Sequence, residues 1–254
     1  MTVTATQTPN PELEVASVRD RLYGRYRSYQ QAAASEDERR HRAPYLRRVI
    51  KQHFPSNRNA RILDIGCGDG ALLHFLREAG YGNVEGIDNS PEQLASAAQL
   101  GLQDVKSGDV LNHMRDAKSE AYDIVVAFDV IEHLTKPELL HLADQIYRTL
   151  SPGGLWLVHV PNAEGIFGTR IRYADLTHEQ AFTRESINQL MRAVGFRTVD
   201  CFEDQPAIHG FKSMLRLAAW KVLRLAFRIV VMAETGDSGR KAIFSQNLLA
   251  VAQK

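Results

Sequence analysis

The chain has 254 residues, enough for one sizeable domain with additions, and its 31 basic and 30 acidic residues nearly cancel. That balance gives no support for a nucleic-acid groove, which needs a basic surplus, so no nucleic-acid partner is expected. Two cysteines, Cys67 and Cys201, are too few for a disulfide framework and suit a reducing, cytoplasmic setting.

Residues 1–11 are polar, lack an apolar h-region, and read as a disordered tail and not a signal peptide. Two basic helical segments follow, Glu12 to Ala34 and Glu36 to Phe54, forming an N-terminal helical cap over 12–55 that Pro55-Ser56-Asn57 ends. Residues 56–254 are expected to form the main domain, with strands over 61–65, 83–87, 103–106, 122–127, 154–160, 196–203 and 242–252. Ser90-Pro91-Glu92 signals a helix start, and Thr183-Arg184-Glu185 opens another helix that ends at Gly195. Apolar strands alternating with helices imply an α/β fold, a mostly parallel sheet covered on both faces. Two stretches exceed a minimal version: the loop 161–180, expected to meet substrate, and a helical insertion over 210–240. No run reaches the roughly 18 uninterrupted apolar residues that span a bilayer.

The most informative segment is Ile62-Leu63-Asp64-Ile65-Gly66-Cys67-Gly68-Asp69-Gly70. A buried strand, a glycine turn and a helix beginning at Ala71 bring bare backbone against a ligand. Asp88 closes the next strand, where an acid can hold both ribose hydroxyls. The spacing is G-x-G-x-G and not the G-x-G-x-x-G of dinucleotide turns. Asp64 beside the loop would repel a pyrophosphate and favour a cation. S-adenosylmethionine, an adenosyl ligand without phosphates and with a sulfonium and an ammonium, fits that charge. A nicotinamide oxidoreductase is disfavoured on the same grounds, and an inert adenosyl-binding partner protein is a further alternative.

This segment resembles the first motif of the class I S-adenosylmethionine-dependent methyltransferases. Val84 to Ser90 looks like their second motif, Ser107-Gly108-Asp109-Val110 their third, Tyr122 to Leu134 their fourth-strand motif, and Leu150-Ser151-Pro152-Gly153-Gly154 the turn before strand five. The resemblance implies a Rossmann-like seven-stranded sheet whose last strand, over Ile243 to Ala252, runs antiparallel. It also implies a cofactor site of Asp64 near the ammonium, Gly66 and Gly68 along the methionine moiety, Asp88 and Asn89 at the ribose, Asp109 and Val110 at the adenine, and Phe128 beside them.

The chain lacks the Asn/Asp-Pro-Pro-aromatic tetrapeptide typical of methyltransferases acting on nitrogen, which favours an oxygen acceptor. Two histidines are candidate catalytic bases, His133 after strand four and His178 in the long loop. Arg170, Arg172 and Tyr173 in that loop suit an anionic or hydroxyl-rich acceptor. Asp129, Glu132 and His133 resemble the metal-ligand spacing of ubiquinone-type O-methyltransferases, though a solvated helix start explains them as well and a divalent metal is not expected.

Over 211–233 a helical wheel places Phe211, Met214, Leu215, Val222, Leu225, Ile229 and Met232 on one side, and Lys212, Arg216, Lys221, Arg224 and Arg228 on the other. A basic amphipathic helix suits the anionic inner face of a membrane; its apolar side would also pack on the domain or in a homodimer. Val160-Pro161-Asn162 and the stretch from His178 to Phe182 resemble bacterial surface-glycan methyltransferases. The expected activity is O-methylation of a small acceptor, a sugar or glycan; a quinone-like or phenolic acceptor is the alternative.

Overall fold

The computed structural model describes Leu22 and residues 35–254; the expected tail and the helix over Glu12 to Ala34 lie outside that range but for Leu22. Helix α1 (Ser35–His53) is followed by β1 (Ile62–Ile65), α2 (Ala71–Glu78), β2 (Val84–Asp88), α3 (Pro91–Gln99), β3 (Val105–Ser107), α4 (Val110–Asp116) and β4 (Tyr122–Phe128). A single 3-10 turn (Ile131–His133) leads to α5 (Lys136–Thr149), β5 (Leu150–Pro161), α6 (Gly168–Ala174), α7 (Arg184–Ala193), β6 (Thr198–Glu203), α8 (Phe211–Thr235) and β7 (Asn247–Gln253).

The strands form one seven-stranded sheet in the order β3-β2-β1-β4-β5-β7-β6. The first five pair in parallel, while β7 runs antiparallel between β5 and β6. This is the Rossmann-like methyltransferase fold. Two apolar layers sandwich the sheet. One gathers Ile65, Val125, Trp156 and Val158 with Leu142, Ile146 and Met191 of α5 and α7. The other sets Leu46, Val49 and Ile50 of α1 and Leu72, Phe75 and Leu76 of α2 against Ile62, Val126 and Leu157.

Two strand starts differ from expectation by more than two residues. Strand β5 starts at Leu150, because the Ser151 to Gly154 stretch is a bulge within it: Tyr122 pairs with Leu150, but Ile124 pairs with Leu155. Strand β7 starts at Asn247 and not near 242, because the buried Asn162 side-chain amide donates to the carbonyls of Ile243 and Ser245 at 2.7 and 2.9 Å. Side-chain bonds take those carbonyls before a ladder can. The long loop after β5 is not structureless; it holds the two-turn helix α6, whose first residue, Gly168, has no room for a Cβ against the main chain of Asn162.

Candidate active site

The carboxyl ends of the parallel strands open on a cleft of about 820 Å³, in the range of small-molecule clefts, roughly 300–1,000 Å³. It lies where the strand order reverses, between β1 and β4, the place where open α/β sheets take ligands. Gly66, Gly68 and Gly70 all have left-handed backbone. Gly66 can only be glycine, since a Cβ would run into the Val130 side chain. The turn therefore lays bare main chain along one wall. Asp88 fixes it there: one carboxylate oxygen accepts the N–H of Gly68 at 2.8 Å and the other that of Ser90 at 2.8 Å. Asp64, Asn89, Asp109, Val110 and Phe128 line the same cleft, and Asp109 also caps α4 by accepting the Asn112 N–H at 2.8 Å.

The other end of the cleft is lined by Asp129, Glu132, His133, Ile171, Ala174, Asp175 and His178. The Thr177 hydroxyl lies 2.6 Å from Asp175 Oδ1 and 2.8 Å from His133 Nδ1. The Glu132 carbonyl accepts the N–H groups of Glu179 and Gln180 at 2.8 and 3.0 Å, which latches the loop to the turn after β4. The rings of His133 and His178 stand 4.7 Å apart.

The family described as "Methyltransferase domain" matches residues 38–200, more than half of the chain. This chain belongs to the S-adenosylmethionine-dependent class I methyltransferases. Over 121 residues it is 36% identical to a ubiquinone biosynthesis O-methyltransferase of Hydrogenovibrio crunogenus, covering 45% of this chain and 48% of the relative. Over 154 residues it is 34% identical to a trans-aconitate 2-methyltransferase of Mycobacterium tuberculosis, covering 60% and 54% respectively. The chain thus spans about half the length of these curated relatives. A solved methyltransferase of Archaeoglobus fulgidus shares the fold, with a TM-score of 0.63 at 20% identity over 83% of this chain and 93% of that one. So does a Haemonchus contortus phosphoethanolamine N-methyltransferase 2 in complex with S-adenosyl-L-methionine, with a TM-score of 0.58 at 19% identity over 83% and 52%.

The cofactor of this methyltransferase is S-adenosylmethionine, and the cleft suits its charge. Burial pushes the Asp64 carboxyl up to about 8; Arg42 of α1 pulls against that and Asp88 adds to it. Burial likewise raises Asp88, against the pull of its backbone N–H bonds. An acid so poised ionises readily when a cation arrives beside it.

At the other end of the cleft, the Thr177 hydroxyl bears on the tautomer of His133. Thr177 has a single hydroxyl proton; donated to Asp175, it leaves the Thr177 oxygen to accept from His133 Nδ1–H. Nε2 is then the unprotonated nitrogen. Burial, reinforced by His178, brings His133 down to about 4, so the ring is neutral at working pH. Glu132 is the opposite case: burial and then the nearby Asp129 charge raise it well above the usual carboxylate range. Asp129, Glu132 and His133 do not converge as a ligand set, because Asp129 turns to His159 of β5 at 2.7 Å. Among the described residues, Glu132, His133 and His178 are the donors that do come together, within 4.8 Å of one another. An ion there would first require Glu132 to lose its proton.

Arg170, Arg172 and Tyr173 stay off the cleft wall. Arg172 donates to the Glu179 carbonyl at 2.8 Å, tying the loop to itself, while Arg170 and Tyr173 face solvent. Ile171, Ala174 and Asp175 take the wall positions instead. Sequence reasoning missed Asp175 and Thr177, whose Asp-x-Thr-His spacing (175–178) was the available signal, and Arg42, which nothing local in its helix singles out. It also missed the pairing of His159. Burial opposes a charge on His159, but Asp129 and then Asp204 outweigh it and hold the ring up to about 10. Asp129 is brought down to about 2 against its own desolvation. Asp129 has a left-handed backbone, a strained conformation for an acid that such a pair can hold in place.

Proposed function

We propose that this methyltransferase moves the methyl group of S-adenosylmethionine to a hydroxyl of a small acceptor, a sugar or glycan unit, with His133 Nε2 as the base. In this reading Asp64 faces the ammonium, Gly66 and Gly68 line the methionine moiety, Asp88 and Asn89 meet the ribose, and Asp109, Val110 and Phe128 enclose the adenine. The observation that carries it is the Asp175-Thr177-His133 chain. A carboxylate acceptor is already ionised and needs no base, whereas an alcohol must lose a proton as the new bond forms. A base held neutral, and in a fixed tautomer, favours the alcohol. The quinone-like or phenolic alternative draws support from the relative named for ubiquinone biosynthesis.

The test is radiolabelled methyl transfer onto extracted glycans, nucleotide sugars, quinols and carboxylic acids, followed by mild alkali. Methyl ethers survive alkali and methyl esters do not. Alkali-stable label on a sugar is expected. Stable label on quinols alone would move the assignment to the alternative, and alkali-labile label would overturn hydroxyl transfer.

A second expectation concerns Asp64. Because its proton is held up to about 8, cofactor binding at neutral pH should release a proton, and affinity should rise with pH toward that value. For stability the sign is reversed: a carboxyl raised above its unfolded value of about 4 favours the folded state at low pH, and that advantage is lost as pH rises through about 8. Asp64→Asn should abolish the proton release and weaken binding about 10-fold or more, the worth of a charge-assisted contact. At pH above 8 it should leave the ligand-free protein no less stable. Calorimetry in buffers of different ionisation enthalpy, with thermal melts alongside, reads all three. Proton release unchanged in the Asn variant would remove Asp64 from the ammonium site.

A further inference from the structure

Helix α8 is 25 residues long and turns its apolar face away from the domain. Phe211 is 69% exposed, Val222 70%, Leu225 58% and Ile229 55%. The residues that face inward are Ser213, Leu217, Trp220, Phe227 and Val231, with the Phe227 ring 5.8 Å from that of Phe244. Two of the five cations expected on the polar face are drawn to the domain. Arg224 donates to Glu203 Oε2 of β6 at 2.7 Å, and Arg228 to the Ser238 carbonyl at 3.4 Å. Lys212, Arg216 and Lys221 remain exposed. On a 100° wheel Lys212 and Lys221 fall on opposite margins of the apolar face. Long lysine stems at such margins reach past buried apolar surface to anionic headgroups.

We infer that α8 is an in-plane docking helix for an anionic bilayer surface. No acid occurs between Phe211 and Ala233, so the face complements negative lipid and offers nothing to a basic partner. A second copy fits worse: two-fold pairing about the middle of the helix would bring Lys221 toward its own counterpart with no acid of α8 between. No helix among the described residues is long and apolar enough to cross a membrane, so the helix lies on the surface and does not span it.

The test needs no acceptor. The full chain is sedimented with vesicles of phosphatidylcholine alone and of phosphatidylcholine mixed with phosphatidylglycerol, at low and high salt. Salt-sensitive binding to the mixed vesicles only is expected. Lys212→Gln with Lys221→Gln should lower the partition coefficient about 30-fold, at roughly fivefold per cation. Val222→Gln with Leu225→Gln should abolish binding while S-adenosylhomocysteine affinity stays unchanged, which confirms folding. Three outcomes overturn the inference: no vesicle binding by a monomer, a lipid-free dimer that the Val222/Leu225 variant dissociates, or loss of thermal stability in that variant with no lipid binding, which would mean the face packs within the chain itself.

Discussion

Replacing His133 with Ala should cut turnover of the hydroxyl acceptor by about 10²- to 10⁴-fold, the range of a positioned general base, and leave S-adenosylmethionine affinity unchanged. The reason is geometric. His133 Nδ1 faces Thr177, which faces Asp175, so with the Thr177 proton on Asp175 the ring carries its own proton on Nδ1 and Nε2 is the basic nitrogen. The pH profile adds a sign that can be checked. A base works deprotonated, so the rate should rise with pH through about 4 and then level off; an ordinary imidazole would place that limb near 6.5. Thr177→Val should lower turnover as well, because the ring loses the partner that fixes its tautomer. His178→Ala is the control. Its ring faces His133, so a full loss there with activity retained in His133→Ala would transfer the role to His178. Full activity in both would remove both.

Asp88→Ala should weaken S-adenosylmethionine binding at least about 100-fold, since hydrogen bonds to a charged group are worth roughly 1.5–3 kcal/mol each and a diol makes two. The damage should extend beyond the ligand. The same carboxylate accepts the N–H groups of Gly68 and Ser90, and its removal takes the acceptor from both, the Ser90 N–H in a buried place. A loss of about 1–3 kcal/mol of stability is expected, read as a fall of roughly 2–4 °C per kcal/mol in a chain of this size. Asp88→Asn separates the two effects, because the amide oxygen can still accept one N–H while the charge is gone. Unchanged calorimetric affinity in the Ala variant would take Asp88 out of the ribose site.

The glycine-turn wall of the cleft was legible in the sequence because its determinants are local. Glycines at fixed spacing and acids at the ends of consecutive strands lie within 25 residues of one another, from Asp64 to Asp88, and strand geometry alone aims them at one edge. The opposite end was not, because its partners meet through the sheet. Asp129 was expected beside Glu132 and His133. Its companion is His159, thirty residues away, whose strand register sets Phe128 opposite it. The insertion shows a different limit. Periodicity separates the two faces of α8 but does not say which face the domain takes. The choice was made by Glu203, which draws Arg224 inward, and by Phe244 against Phe227.

On the proposed reading, the latch between Glu132 and the loop makes proton abstraction a property of chain closure and not of one side chain. With Glu179 and Gln180 seated on the Glu132 carbonyl, Thr177 reaches His133 and the ring keeps one tautomer. Lift that segment and the imidazole regains its choice of nitrogen, so the enzyme would still hold its methyl donor but would no longer be armed to use it.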